Sequence, residues 1–200
     1  WVATEQDVAG KALTWLMDNV LWPDDALGGG PAPDDAFERI FAAAASVPAG
    51  AGGVLFLPWL NGERTPVDDH RIRGSFANLG LATTRAEMVR AVLEGVALNT
   101  RWMMDSAERF VKADRKHGFD AIRFVGGGAR SDLWCQILAD VLGRPILQMA
   151  DPVLANVRGA AFSASVALGH LHWGDIPERV PVAQRWEPNP AHRTTYDTAY

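Results

Sequence analysis

The 200-residue chain holds one cysteine, Cys135, so no internal disulfide can form and a reducing, cytoplasmic setting is expected. It has no block of Lys or Arg. Its 19 basic and 24 acidic residues leave a formal charge of −5, which argues against nucleic acid and against anionic membranes as partners. No apolar run approaches the roughly 18 residues of a membrane span, and no leader pattern is visible. Two common phosphate motifs lack their decisive residues. No Gly-Lys-Ser/Thr follows the glycines at 126–128, so they are not a Walker loop. Ser131 stands where a dinucleotide fingerprint needs its third glycine. His170 and His172 form the one close histidine pair, with no third ligand nearby in sequence, so no metal site is expected. An initiator Met is also missing. The chain opens on Trp1-Val2-Ala3, which reads like the tail of a strand or loop, and the expectation is a start at a cut.

What is present suits a soluble α/β protein. Hydrophobic residues make up 48% and charged residues 22%, enough apolar material for a core. Thr4 with Asp7 predicts a capped first helix with Val8, Leu13, Leu16, Met17 and Val20 on its apolar face, stopped by Pro23. A Gly/Pro/Asp loop at 28–35 and an Ala-rich helix over about 34–45 follow. The apolar run 54–57 predicts a short buried strand, and 73–78 a second extended segment. The longest helical pattern covers 83 to about 113, opened by the capping box Thr84-x-x-Glu87 and closed at Gly118. A strand at 121–125, the glycine turn, a helix ending at Gly143, a strand at 145–149 and a helix at 155–168 stopped by Gly169 complete the pattern. The tail beyond is polar and punctuated by proline. About four strands alternating with helices predict an α/β fold with an incomplete sheet flanked by helices.

The most informative stretch is Phe124-Val125-Gly126-Gly127-Gly128-Ala129-Arg130-Ser131-Asp132-Leu133-Trp134. Glycines between a strand and a helix let backbone approach a ligand closely, and the helix behind them offers unpaired N–H groups and a positive dipole end. The same glycines can also form a tight turn with no ligand.

Five segments, in order, resemble the FGGY carbohydrate kinases, with the closest flavour that of xylulokinases. They are AGKALTWLMDN at 9–19, GGVLFLPWLNGERTPVDDHRIRGSF at 52–76, the Glu87-Met88-x-x-Ala91-Val92-Leu93-Glu94 signature, GGGARSDLWCQILADVLGRPI from 126, and Ala155-Asn156-Val157-Arg158-Gly159-Ala160-Ala161. The resemblance covers roughly 4–170. Two departures stand out. Asn78 replaces the second glycine of G-x-F-x-G, and Arg158 sits where Leu is common. Asn tolerates left-handed geometry, so the turn at 78 is expected to survive.

The resemblance implies the C-terminal half of an actin-like, ribonuclease-H-like ATPase fold. Residues 1–200 would be most of the nucleotide-binding domain, with the sugar-binding N-terminal domain and its catalytic carboxylate outside them. It further implies transfer of the γ-phosphate of MgATP to a sugar hydroxyl, with D-xylulose the foremost acceptor, ATP/ADP and Mg²⁺ as cofactors, and a possible homodimer. By position, Gly127 and Gly128 would approach the α-phosphate and ribose; Ala129, Ser131 and Asp132 would border the adenine; Gly10 and Thr14 would line the opposite wall. Plainer roles stay open: helix packing for Gly10, an ordinary helix position for Thr14, an N-cap for Ser131. No catalytic residue is assigned. Glu63, Asp68 and Asp69 are expected on a solvated loop or in local ion pairs, Glu63-Arg64 as shaping its loop, and Cys135 as buried and inert. This chain alone is expected to be inactive, and Gly128→Val to weaken nucleotide binding without harming the fold. The rival reading is a non-catalytic, actin-like nucleotide-binding or assembly module.

Overall fold

The longest element organises the molecule. Helix α3 (Arg85–Asp114), about 45 Å long at 1.5 Å per residue, opens with the capping box: Glu87 N–H donates to Thr84 Oγ1 (3.2 Å) and Thr84 N–H to Glu87 Oε2 (2.7 Å). Its Val89, Val92, Leu93, Val96 and Ala97 are buried in the core, where α3 packs against the first two helices, the first strand and the helix after the glycine turn. The computed structural model describes residues 4–27, 29–114 and 119–200, with the backbone alone at 110–114. The turn expected at Gly118 and the strand tail expected at 1–3 lie outside the described residues.

The first helix begins later than expected. Helix α1 (Lys11–Leu16) starts after Gly10 and runs on as a wider π turn over Met17–Leu21, ending before Pro23. Thr4 is not its cap, because the chain at Asp7 is held elsewhere: Asp7 N–H donates to Glu63 Oε1 at 2.9 Å, across 56 residues of sequence. Helix α2 (Ala36–Ala45) buries Ala36, Ile40 and Ala44. Its last carbonyls are capped from outside. Arg90 Nη1 donates to Ala44 O (3.2 Å) and Val47 O (2.8 Å), while Arg90 Nε donates to Glu94 Oε1 at 2.6 Å.

The strands form two small sheets, not one. β1 (Leu55–Leu57) and β2 (Ser75–Ala77) pair antiparallel with Phe56 opposite Phe76, their rings 4.8 Å apart. Asn78 takes φ +60 just after β2, as its chemistry predicts. β3 (Ile122–Phe124) and β4 (Ile146–Met149) pair in parallel, joined through α4 (Asp132–Leu142), the crossover that parallel strands require. Gly143, at φ +64, ends α4 in the left-handed conformation that glycine adopts without penalty. Helix α5 (Ala155–Ala167) follows and buries none of its residues.

The tail carries two further elements. β5 (Val182–Trp186) adds to β4 antiparallel, making the order β3-β4-β5, so five strands are described where four were expected. Helix α6 (Arg193–Ala199) drives Tyr196 into the core, where its hydroxyl donates to Glu94 Oε1 (2.8 Å) and accepts from Arg90 Nη2 (3.3 Å). The buried Arg90–Glu94 pair is tolerable because all three Arg90 nitrogens find acceptors and Glu94 Oε1 accepts from Arg90, Tyr196 and the Gly50 N–H.

Candidate functional site

The glycine turn is a single 3₁₀ turn wedged between β3 and α4. The chain leaves β3 and reaches Gly126 at φ +88, which L side chains rarely adopt. Gly126 N–H donates to Pro152 O (2.8 Å), Ala129 N–H to Gly126 O (3.2 Å) and Ser131 N–H to Gly128 O (3.1 Å). Ser131 then caps α4 by accepting the Trp134 N–H at 3.3 Å.

The three glycines are not equivalent. A Cβ built on Gly127 meets nothing within 4 Å, and the same holds at Gly10. A Cβ on Gly128 would stand 3.0 Å from the Phe124 and Trp134 rings, which pack edge to face with centroids 6.5 Å apart. Gly127 therefore borders open space, whereas Gly128 lets an aromatic pair close under the turn. Gly128→Val would press on that pair, so a cost in stability is expected beside any effect on nucleotide binding.

The open space is a cavity of about 960 Å³. Gly10, with Lys11, Leu13 and Thr14 of α1, forms one wall; Gly127, Gly128 and Arg130 of the turn form another; Asp34, Phe37, Glu38 and Phe41, at α2 and the approach to it, form a third. Val96 and Thr100 of α3, with Trp134, Leu138 and Ile146, also line it. The structure thus brings Gly10, Thr14, Gly127 and Gly128 to one cavity. It does not bring Ala129, Ser131 and Asp132 onto its walls. Ala129 is fully buried and gives its carbonyl to Gln148 Nε2 (2.8 Å); Ser131 is the buried cap; Asp132 accepts from Gln148 Nε2 at 3.1 Å. Ala129 and Asp132 thus fasten the turn to β4 from behind, and Ser131 fastens it to α4. Asp132 also puts a carboxylate in the first turn of α4, which favours the helix dipole.

The α2 wall was missed by sequence reasoning. The available signal was Phe37 and Phe41, one position on from the buried Ala36–Ile40–Ala44 stripe. Cys135 is buried behind the turn, with its thiol pushed up to about 12 chiefly by that burial, as its inert role requires.

The loop after β1 is held by a buried carboxylate. Glu63, 1% exposed, accepts from Asp7 N–H (2.9 Å) and Arg64 N–H (2.8 Å) on Oε1 and from Asn99 Nδ2 (2.6 Å) on Oε2. Neither a solvated position nor an ion pair describes it. It is a hub tying the loop to α3 and to the approach to α1, which matches the shaping role expected of Glu63-Arg64. Asp69 does lie in a local ion pair, with Arg71 (3.2 Å), whose hydrogen bonds hold the Asp69 carboxyl below the usual range, and Asp68 Oδ1 stands 3.5 Å from His70 Nε2. Among the described residues no group of three or more His, Cys, Asp or Glu could hold a metal ion, and no helix is long and apolar enough to cross a membrane.

The model of the C-terminal domain of the FGGY family of carbohydrate kinases matches residues 1–168. A xylulose kinase of Staphylococcus epidermidis is 32% identical over 194 residues, covering 96% of this chain and 36% of that protein. A glycerol kinase of Thermus brockianus is 37% identical over 173 residues, covering 85% of this chain and 31% of that protein. The crystal structure of a xylulose kinase from Lactobacillus acidophilus superposes with a TM-score of 0.78 at 27% identity, covering 97% of this chain and 36% of that one. The chain therefore spans about a third of the length of such relatives, and its fold is that of the actin-like ATPases. It belongs to the FGGY family of carbohydrate kinases, in the part that forms their C-terminal domain.

Proposed function

We propose that this chain holds the adenine nucleotide of an ATP-dependent sugar kinase, as most of that enzyme's C-terminal domain, with D-xylulose the foremost acceptor. The observation that carries the reading is the 960 Å³ cavity with Gly10 and Thr14 on one wall and Gly127 and Gly128 on another. Its size lies within the range of small-molecule sites, and backbone without Cβ at two of its walls lets a polyphosphate come close. Xylulose kinases and glycerol kinases both stand among the relatives, so the sugar rests on likeness alone, with the Staphylococcus epidermidis xylulose kinase matching 96% of the chain and the Thermus brockianus glycerol kinase 85%.

In the complete enzyme a carboxylate of the other domain would take the proton from a sugar hydroxyl, whose oxygen attacks the γ-phosphorus. The residues described here would position the nucleotide and exclude water, and positioning supplies much of the rate in phosphoryl transfer. Mg²⁺ would arrive on the phosphates, where it neutralises charge.

Calorimetric titration of the 200-residue chain with MgADP and MgATP, with NAD as control, tests the reading. Saturable binding of adenine nucleotide alone supports it. NAD binding of equal strength, or no nucleotide binding, overturns it. The same sample should yield no sugar phosphate from xylulose and ATP. The assembly-module reading differs in expecting ADP binding or self-association without turnover, the latter visible in sedimentation.

A further inference from the structure

The glycine turn is held at both ends, and the two glycines that line the cavity lie between the holds. At its start the Gly126 N–H donates to Pro152 O at 2.8 Å. At its end the hold is one half-buried side chain of β4. Gln148 Nε2 donates to Ala129 O (2.8 Å) and to Asp132 Oδ1 (3.1 Å). Ala129 is fully buried, and the Cys135 thiol that also faces its carbonyl, at 3.9 Å, is a weak donor. Loss of Gln148 would leave that carbonyl without a strong partner where water does not reach it.

Gln148 is itself oriented by the neighbouring strand. It stands opposite Gln184 of β5, so Trp186, two residues on, shares its face of the sheet and reaches it diagonally. The Trp186 indole N–H donates to Gln148 Oε1 at 3.0 Å. The partners fix the amide one way round. An indole N–H only donates, while a carbonyl and an ionised carboxylate only accept, so Oε1 faces Trp186 and Nε2 faces the turn. A flipped amide would set its oxygen against two acceptors and its N–H groups against a donor. Trp186 lies beyond residues 1–168, the span that the family model matches, so this hold on the turn is brought by the tail.

We propose that Gln148 is a positioning residue for the nucleotide site and that Trp186 sets it: β5 orients the Gln148 amide, the amide fixes the Ala129 carbonyl and the Asp132 carboxylate, and the backbone of Gly127 and Gly128 is thereby kept in place on the cavity wall. Gln148 is not among the residues that line the cavity and acts on it through the turn. A turn ordered beforehand loses less conformational freedom when a ligand binds, so the hold appears as affinity. This rests on the nucleotide reading above and ties the tail of the chain to that site.

The test is MgADP calorimetry, urea unfolding and backbone amide NMR on the 200-residue chain, on Gln148→Met, on Trp186→Phe and on the double variant. Methionine keeps the length of the side chain and removes its N–H donors and its carbonyl oxygen; phenylalanine keeps a ring on β5 and removes the indole N–H. Under conditions where every variant is fully folded, Gln148→Met should weaken MgADP by roughly 3- to 12-fold, the range of one lost hydrogen bond. Trp186→Phe should weaken it by a smaller factor. The double variant should bind as Gln148→Met does, because Trp186 acts through Gln148. In the nucleotide-free chain the Gly127 and Gly128 amide resonances should shift along one line in both single variants. A merely structural Gln148 would lower the urea midpoint and leave MgADP affinity unchanged; that result refutes the positioning role while the nucleotide site stands. Losses that add in the double variant would refute the link from Trp186. If the unaltered chain binds no MgADP, the nucleotide reading falls and the positioning role with it.

Discussion

Valine at position 127 and valine at position 128 should fail in opposite ways. At Gly127 the backbone has ordinary φ, and a Cβ meets nothing within 4 Å, so the side chain projects into the cavity. Folding should change by no more than about 0.5 kcal/mol, as for other substitutions that touch no packed group. Nucleotide affinity should fall by at least tenfold, because the branched side chain occupies space the phosphates need. At Gly128 the first added carbon already lies 3.0 Å from Phe124 Cζ and from Trp134 Cε3 and Cζ3. Trp134 cannot retreat freely, since its indole N–H donates to Leu93 O at 3.3 Å within the core. Overpacking of this kind costs about 1–3 kcal/mol. Urea unfolding and MgADP titration of both variants give the four numbers needed. The reasoning is refuted if Gly127→Val loses more stability than Gly128→Val, or if Gly127→Val binds MgADP like the unaltered chain.

Three further outcomes follow from the packing. Tyr196→Phe removes a buried donor to Glu94 and should lower stability by about 1.5–3 kcal/mol in urea unfolding, the range for hydrogen bonds to charged groups; an unchanged midpoint would mean that α6 is not docked as described. Cys135, fully buried and with its thiol pushed up to about 12, should resist a thiol reagent at pH 8 in the folded chain and react once in denaturant; rapid labelling of the native protein would contradict its burial. The Thr84 hydrogen bonds hold Glu87 below the ordinary glutamate range, so the cap's contribution is fully present above that range and is lost as pH falls through the depressed value. Thr84→Ala removes the hydroxyl but keeps the larger effect of the backbone N–H, so the Glu87 titration, followed by carboxyl NMR, should rise only part of the way toward the ordinary value.

Where structure is local, it was legible. The α3 capping box, the Ser131 cap and Gly143 stop of α4, and the left-handed Asn78 all follow from residues within four positions of one another. The misses depend on partners far along the chain. The first helix starts at Lys11, not near Thr4, because Glu63 holds the chain at Asp7, and nothing near residue 7 announces Glu63. β5 is mostly exposed and lies between prolines, so it reads as loop until β4 supplies its hydrogen bonds. α6 has one core residue, Tyr196, and a seven-residue helix with a single anchor shows no apolar period. The site divides the same way. Gly10, Thr14 and the glycine turn stood out through motif and resemblance. Phe37 and Glu38 did not, since a helix's open face is defined by what it fails to touch. Ala129, Ser131 and Asp132 belong to the same motif, yet the turn's curvature aims them toward β4 and α4.

The central claim is that the cavity between α1 and the glycine turn takes an adenine nucleotide. MgADP titrated calorimetrically into the unaltered chain, beside Gly127→Val of matched stability, tests it most directly. The account predicts one saturable site in the unaltered chain, at least tenfold weaker in the variant. Equal affinity in both, or heat from NAD equal to that from MgADP, would contradict it.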